Sequence, residues 1–265
     1  SVLTDDAGRL NDAVVRGLAA QIAAAVAARR EVILVSSGAI ACGMSRLGLS
    51  RRPAALAQLQ ACAAIGQGQL MHRYSEAFAR RQVTVAQVLL TAADLANRAR
   101  CRNARQTLTT LLSRRVVPIV NENDTVAVDE ITFGDNDRLA ALVASLMQAD
   151  LLVILSDVDG LLRNGRVIAR LDRLTEHHHR RVMPSSRETT TGGMASKLAA
   201  GRLARHAGIP LVIANGTTPG VLTEILSGKP IGTLIAPARG RQVFRQRGAG
   251  PKLVEQFLSQ PRATR

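Results

Sequence analysis

Apolar residues along the chain follow two patterns, a helical spacing and short continuous runs. The helical spacing predicts helices over residues 10–30, 53–81, 94–113, 138–148, 194–207 and 220–226, and another that begins after Gly38. Asp94 is the predicted cap of the helix over residues 94–113. Runs of Val, Ile and Leu predict buried strands over residues 31–37, 83–90, 116–120, 150–156 and 209–214. Residues 158–175, which contain the sequence RNGR, predict a turn and a β-ribbon.

Strands that are apolar throughout and alternate with helices are typical of a mainly parallel sheet covered on both faces. We therefore predict an α/β fold. Ligands of such sheets bind beyond the carboxyl ends of the strands, so polar motifs that follow strands should converge. The motifs in these positions are SSGA (residues 36–39), NEND (121–124), SDVDG (156–160) and NG (215–216).

The composition is that of a globular protein, with 46% hydrophobic and 21% charged residues in 265 positions. The net charge of +15 raises the alternative of a basic, RNA-associated protein. The basic residues are scattered, however, and aromatic residues for base stacking make up only 2% of the chain. We expect anionic small molecules rather than nucleic acid as partners.

The cysteines and the hydropathy pattern indicate in which cellular compartment the protein is expected to work. Cys42, Cys62 and Cys101 are far apart and lack the spacing of a metal site, which predicts small buried side chains in a reducing environment. No apolar run reaches membrane-spanning length and no signal peptide is recognised. The sequence therefore predicts a cytoplasmic protein without a membrane partner.

Acidic residues concentrate in residues 120–137, although the chain has only 20 of them against 35 basic residues. This stretch contains Glu122, Asp124, Asp129, Glu130, Asp135 and Asp137, together with Asn121, Asn123 and Asn136. Carboxylates accept hydrogen bonds from an ammonium group or orient a lysine, and amides donate to a carboxylate. The alternatives are a solvated acidic loop and, for residues 135–137, simple capping of the next helix.

Residues 189–197 (TTTGGMASK) form a Thr/Gly loop that runs into a helix. Glycines let backbone amides approach a ligand, and a helix N-terminus attracts anions that Lys197 would also reach. The alternative is a Gly-rich connector that ends in a solvated lysine. The chain has no Walker A motif and no G-x-S-x-G elbow, so Ser37 is not predicted to be a nucleophile. Consecutive histidines at 177–179 cannot face one metal, and no metal ligand is predicted.

These motifs, taken together, resemble the amino acid kinase family, and within it the group that phosphorylates glutamate. The resemblance covers about residues 1–235, and its blocks follow in order at residues 35–48, 63–71, 87–112, 117–144, 155–161 and 190–198. It implies a three-layer α/β/α sandwich with a mainly parallel sheet. It also implies transfer of the γ-phosphate of ATP to the side-chain carboxylate of L-glutamate, the first step of proline synthesis.

The resemblance also implies roles for individual residues. The expected glutamate-binding residues are Ser37, Asp124 and Asn136, with Gly38 and Asn121 beside them. The expected ATP-binding residues are Ser156, Asp157, Thr191, Gly192, Gly193, Met194, Ala195, Ser196 and Lys197. Lys197 would neutralise the transferring phosphoryl group, Asp137 would orient Lys197, and Mg²⁺ would be bound through the phosphates. The family also implies a homo-oligomer and feedback by proline.

The sequence departs from the family pattern in three places. It begins without the Lys-x-Gly-Thr strand, it lacks Asp-Pro-Arg after residue 161, and it has no RNA-binding-like domain after the kinase domain. We expect residues 1–238 to form a kinase domain without its first strand and residues 239–265 to form a basic tail. Two alternatives stay open: a weakened or inactive homologue that binds glutamate or proline, and another acyl-phosphate-forming kinase of this fold.

Overall fold

The computed structural model describes residues 2–4, 9–127, 136–174 and 193–238. The chain divides into two compact units, Ser1–Leu139 and Ala140–Arg265. None of the helices in the described ranges has both the length and the apolar character that a membrane crossing requires. The predicted kinase-domain and tail boundaries at residues 238 and 239 stay a prediction, because the tail lies outside the described residues.

The first unit holds a three-stranded parallel sheet in the order β1-β3-β2. Its strands are β1 (Leu34–Val35), β2 (Val85–Leu90) and β3 (Val117–Glu122). Its helices are α1 (Asp12–Ala27), α2 (Ala39–Arg46), α3 (Leu56–Ala79), α4 (Ala92–Ala96) and α5 (Arg98–Ser113), and α6 (Asn136–Met147) begins in this unit. In the register, Val35 lies beside Val120 and Leu90 beside Glu122, so the three strands end at the same edge.

The predicted helix over residues 94–113 is in fact two helices, and the expectation that Asp94 caps it is wrong. Thr91 caps α4 in a capping box, in which the Asp94 carboxylate accepts from the backbone N–H of Thr91 at 2.9 Å. The side chain of Asn97 then caps α5 by accepting from the N–H groups of Ala99 and Arg100, each at 3.0 Å. Asn97 has an extended backbone, which separates the two helices.

Helices α2 and α3 meet backbone to backbone through two glycines. A Cβ atom on Gly43 would lie 1.8 Å from the carbonyl oxygen of Cys62, and one on Gly66 would lie 1.8 Å from that of Ala39. No other residue fits at either position, because real Cβ atoms do not approach an oxygen so closely. The contact fixes the start of α2, which begins at Ala39, the last residue of the SSGA motif.

The second unit holds a four-stranded sheet in the order β4-β8-β9-β7. Its strands are β4 (Leu152–Ser156), β7 (Arg170–Leu171), β8 (Leu211–Asn215) and β9 (Thr233–Ile235), and its helices are α7 (Met194–His206) and α8 (Val221–Leu226). The β8–β9 pair is antiparallel, and the other two pairs are parallel. The core includes Leu198, Leu211 and Ile213, each fully buried.

A hairpin of β5 (Leu162–Arg163) and β6 (Arg166–Val167) confirms the predicted ribbon. Its turn residues Asn164 and Gly165 have φ angles of 52° and 76°, as a two-residue turn between antiparallel strands requires. The α/β class, the parallel pairing and the other predicted helices and strands are confirmed. The β1 strand is shorter than the predicted 31–37, and β9 was not predicted.

Candidate active site

The SSGA and NEND motifs converge at the carboxyl edge of the first unit's sheet, as predicted. Strand β1 lies next to β3, and the backbone N–H of Ser36 donates to the carbonyl oxygen of Val120 at 2.9 Å. Ser36 and Asn121, which follow these paired positions, are 1% and 2% exposed. Gly38 has a φ of +106°, a conformation that L side chains rarely adopt, and begins α2. The chain can therefore turn sharply between the strand end and the helix.

A buried hydroxyl pair supports this strand end from α3. The Ser36 hydroxyl donates to the carbonyl oxygen of Ser37 at 3.0 Å and lies 2.9 Å from the Tyr74 hydroxyl. Since Ser36 has used its single hydrogen, Tyr74 is the donor of the second bond. Burial raises the pKa of Tyr74 to about 12, so its hydroxyl keeps the proton it donates.

Three amide side chains, Gln67, Asn121 and Asn136, form a connected group that we call the amide triad. Asn121 Oδ1 accepts from the N–H of Glu122 at 2.9 Å and from Asn136 Nδ2 at 3.3 Å. Asn121 Nδ2 donates to Gln67 Oε1 at 2.7 Å, and Asn136 Nδ2 donates to the Ser36 carbonyl oxygen at 3.0 Å. The triad therefore joins both strand ends to α3 and to the start of α6.

Two atoms of the amide triad are buried without a hydrogen-bond partner among the described residues, Gln67 Nε2 and Asn136 Oδ1. Burying a polar group without a partner costs about 1–3 kcal/mol. One of the two atoms is a donor and the other an acceptor, so together they suit a ligand that carries both an acceptor and a donor.

Asp124 lies in the turn that follows β3. Burial raises the pKa of its carboxyl to about 6, and the positive charge of Arg52 partly opposes this. A desolvated carboxylate near neutrality gains from a cationic ligand, which would restore the interactions lost from water. Asp137, in the first turn of α6, follows Asn136 directly. Residues 128–135, which include Asp129, Glu130 and Asp135, lie outside the described residues.

The SDVDG and NG motifs converge in the second unit, so the structure brings the four predicted motifs together as two pairs, one in each unit. Ser156 and Asn215 are register partners at the ends of β4 and β8, and the N–H of Gly216 donates to the Ser156 carbonyl oxygen at 2.7 Å. Ser156 Oγ donates to Asp157 Oδ1 at 3.1 Å, and Asn215 Nδ2 donates to Asp159 Oδ1 at 2.9 Å. The two loops therefore form one polar platform beyond the sheet.

The GGMASK segment forms the beginning of α7. Gly193 is its N-cap, and Met194, Ala195 and Ser196 supply the first N–H groups of the helix. Ser196 Oγ donates to the Gly193 carbonyl oxygen at 2.9 Å. Lys197 is only 9% exposed, so the alternative of a solvated lysine is wrong. Thr191, Gly192 and histidines 177–179 lie outside the described residues.

Sequence reasoning missed Gln67 and Tyr74, which contact the strand ends from the middle of α3. The available signal was the buried face of that helix, on which Gly66, Leu70 and Tyr74 follow at helical spacing and Gln67 is a polar neighbour. Within the described ranges, no group of three or more His, Cys, Asp or Glu side chains could hold a metal ion.

Comparison with known proteins gives a consistent set of relatives. The model of the amino acid kinase family matches residues 1–215. Glutamate 5-kinases of Geobacter metallireducens and Salinispora arenicola are each 49% identical to the chain, over 90% and 92% of it. The glutamate 5-kinase of Moorella thermoacetica is 46% identical over 93% of the chain. The chain spans 66%, 68% and 67% of the lengths of these three relatives.

A solved structure supports the fold. The crystal structure of isopentenyl phosphate kinase from T. acidophilum, determined as a product complex, aligns with a TM-score of 0.55 at 16% identity. The alignment covers 88% of this chain and 95% of that chain. At this identity the likeness shows a common fold and carries no information about the substrate.

Proposed function

This chain belongs to the amino acid kinase family, and from that premise we propose that it is a glutamate 5-kinase. It transfers the γ-phosphate of ATP to the side-chain carboxylate of L-glutamate and produces L-glutamyl 5-phosphate, which enters proline biosynthesis. The observation that carries the proposal is the 49% identity to glutamate 5-kinases over 90% and 92% of the chain. The chemistry of the two strand-end clusters supports it.

The first unit supplies the glutamate-binding residues. Asp124 accepts from the α-ammonium group, and this role agrees with its half-buried carboxyl of raised pKa. Ser37 and Gly38 follow the end of β1, which lies beside β3 in the sheet. Asn121 and Asn136 bring amide groups to this strand end through a bond that joins their side chains at 3.3 Å.

The second unit supplies the ATP-binding residues. The N–H groups at the start of a 13-residue helix, α7, attract the phosphates. Ser156 and Asp157 line the strand-end platform on which the nucleotide lies. Thr191 and Gly192 are proposed to extend the phosphate-binding loop upstream of Gly193.

Phosphoryl transfer asks the protein mainly to position the reactants and to stabilise charge, and it requires no protein nucleophile. Lys197, largely withdrawn from water at 9% exposure, neutralises the phosphoryl group as it moves. Asp137 orients Lys197, a role that the family resemblance supports. Mg²⁺ bound through the ATP phosphates supplies further charge neutralisation.

The proposal also covers the location, the assembly and the regulation of the enzyme. The enzyme works in the cytoplasm, assembles as a homo-oligomer and is inhibited by proline, the end product of its pathway. Each of these properties rests on the family resemblance. Sedimentation at working concentration tests the assembly, and activity measured against added proline tests the feedback.

An assay of the purified chain tests the proposal. With ATP, Mg²⁺ and hydroxylamine, L-glutamate should give γ-glutamyl hydroxamate, whereas L-aspartate and N-acetyl-L-glutamate should give none. Hydroxamate formed from another acid would identify a different acyl-phosphate kinase. Glutamate binding by calorimetry without turnover would identify a homologue that has lost activity.

A further inference from the structure

The hydrogen bonds of the amide triad leave no freedom in the orientation of its side chains. Glu122 donates its backbone N–H to one end of the Asn121 amide, which identifies that end as the oxygen and the other as Nδ2. Asn121 Nδ2 in turn identifies the Gln67 atom it contacts at 2.7 Å as oxygen. Gln67 therefore presents an amide donor as its unpaired atom, and a flipped amide would place two donors against each other.

The same logic fixes Asn136. The atom that lies 3.0 Å from the Ser36 carbonyl oxygen and 3.3 Å from Asn121 Oδ1 faces two acceptors, so it is Nδ2. The unpaired atom of Asn136 is therefore an acceptor. Backbone groups at the ends of β1 and β3 therefore determine which end of the Gln67 amide and of the Asn136 amide is nitrogen and which is oxygen.

Gln67 and Asn136 both bond to the Asn121 side chain, so the unpaired donor and the unpaired acceptor belong to one connected group. An α-amino acid carries its carboxylate and its ammonium on one carbon atom, whereas the side-chain carboxylate of glutamate is farther from the ammonium. The ionised side-chain carboxylate can only accept hydrogen bonds, so an unpaired donor and an unpaired acceptor in one connected group match the head group better than the reacting end of the substrate.

We propose that Gln67 is a substrate-binding residue whose Nε2 donates to the α-carboxylate of the amino acid, while Asn136 Oδ1 accepts from the α-ammonium. Asn121 is the positioning residue that holds Gln67 in the donating orientation. This inference rests on the proposed function for the identity of the substrate. Both atoms are buried without a partner among the described residues, so bonds to the ligand would remove the cost of two unsatisfied polar groups.

The matched variant is Gln67→Glu, which keeps the oxygen that accepts from Asn121 and replaces the donor by a carboxylate oxygen. The Kd for L-glutamate, measured by calorimetry without ATP at pH 8, should rise about tenfold or more, because an unpaired acceptor then faces the α-carboxylate. In turnover the KM for glutamate should rise similarly while kcat changes less than about twofold, since the lost contact lies away from the reacting carboxylate.

Two readouts separate this contact from a general structural effect. In the Gln67→Glu variant the introduced carboxyl group still donates when it is protonated, so the ratio of variant to wild-type Kd should grow as pH rises from 5 to 8. The affinity for 4-aminobutanoate, which has the ammonium and the distal carboxylate but no α-carboxylate, should fall much less than that for glutamate. Equal losses for both ligands, or a ratio that does not change with pH, would overturn the assignment.

Asn121→Asp supplies a second, independent test. It keeps the acceptor for Glu122 and Asn136 but removes the donor to Gln67, so Gln67 should turn its oxygen toward the ligand and glutamate affinity should fall. In a Gln67→Ala background, Asn121→Asp should weaken glutamate binding less than it does in the wild type, because no Gln67 amide is left for it to orient. Strict additivity would contradict the positioning role of Asn121.

Gln69→Glu is the control, since Gln69 is exposed on the same helix and the substitution adds the same charge. It should leave the Kd for glutamate within about twofold of the wild-type value. If the wild-type chain neither binds nor phosphorylates glutamate, the proposed function fails. If it does both and Gln67→Glu binds glutamate as the wild type does at pH 8, this inference alone fails.

Discussion

The hydroxyl of Tyr74 lies 2.9 Å from that of Ser36, although the two residues are 38 positions apart. Tyr74 is completely buried in α3, and Ser36 is the first residue after β1. This bond ties a long helix to the strand end where the glutamate-binding residues are proposed to lie. Gln67, two turns earlier in α3, bonds to the neighbouring strand end through Asn121. One helix therefore supports both strand ends.

Replacing Tyr74 by Phe should lower the free energy of unfolding by about 0.5–1.5 kcal/mol. The Ser36 hydroxyl would still donate to the Ser37 carbonyl oxygen but would lose the buried bond that Tyr74 donates, and a typical hydrogen bond contributes about that much. Urea denaturation followed by circular dichroism measures the change.

A double-mutant cycle with Ser36→Ala is the control for Tyr74→Phe. Once Ser36 has no hydroxyl, loss of the Tyr74 hydroxyl breaks no further bond between the two residues, so the double variant should be less destabilised than the sum of the two single variants. Additive effects would show that the two hydroxyls do not form a stabilising bond in solution.

Gly43→Ala and Gly66→Ala should each destabilise the protein by at least about 3 kcal/mol. In both cases the added Cβ would lie 1.8 Å from a carbonyl oxygen of the facing helix, so α2 and α3 must separate and lose their packing. Thermal or urea denaturation of the purified variants measures the loss.

Gly68→Ala is the matched control in α3. A Cβ on Gly68 has no atom within 4 Å, so this variant should gain about 0.5–1 kcal/mol from the better helix propensity of alanine. The interpretation would be wrong if Gly43→Ala or Gly66→Ala unfolded at the same denaturant concentration as the wild type.

The convergence of polar motifs could be predicted because it depends on local patterns and one rule of topology. Runs of β-branched residues identified the strands, and parallel neighbours end at the same edge of a sheet. Ser36 therefore approaches Asn121, and Ser156 approaches Asn215. The hairpin could also be predicted, because Asn164 and Gly165 strongly favour a two-residue turn between antiparallel strands.

The missed features depend on contacts between distant parts of the chain. Gln67 and Tyr74 reach the strand ends only because α3 lies against α2, and no sequence rule predicted that contact. Strand β9, which pairs with β7 and β8, has three residues, and so short a strand shows no periodicity of its own. The misassigned Asp94 was three residues from the true cap, Thr91, a distance within which capping signals in the sequence are ambiguous.

Asp124→Asn should raise the free energy of unfolding at pH 7.5 by about 1–3 kcal/mol. The pKa of Asp124 in the folded protein, about 6, lies above its ordinary value of 3.8, so the folded state binds the proton more tightly. The stability from this group is complete below pH 3.8 and is lost as pH rises through 6. Urea denaturation at a series of pH values should show the gain at pH 7.5 and little difference near pH 4.

The same substitution should weaken glutamate binding. In the wild type, affinity for glutamate should increase as pH rises through about 6 and Asp124 ionises, because the carboxylate then attracts the α-ammonium. Asp124→Asn should lose this pH dependence together with most of the affinity. A variant that is destabilised at pH 7.5, or that binds glutamate with the wild-type pH profile, would contradict the role of Asp124.

Lys197→Met should lower kcat by about 10²–10³-fold, because it removes a fixed positive charge that is proposed to face the transferring phosphoryl group. Methionine has a similar length and suits a site that is only 9% exposed, so circular dichroism should show an intact fold. The matched control is Lys229→Met, since Lys229 is exposed and paired with Glu224, and its kcat should stay within about twofold of the wild-type value. Steady-state assays with saturating glutamate and ATP measure both variants. Equal kcat values for the two would show that Lys197 takes no part in phosphoryl transfer.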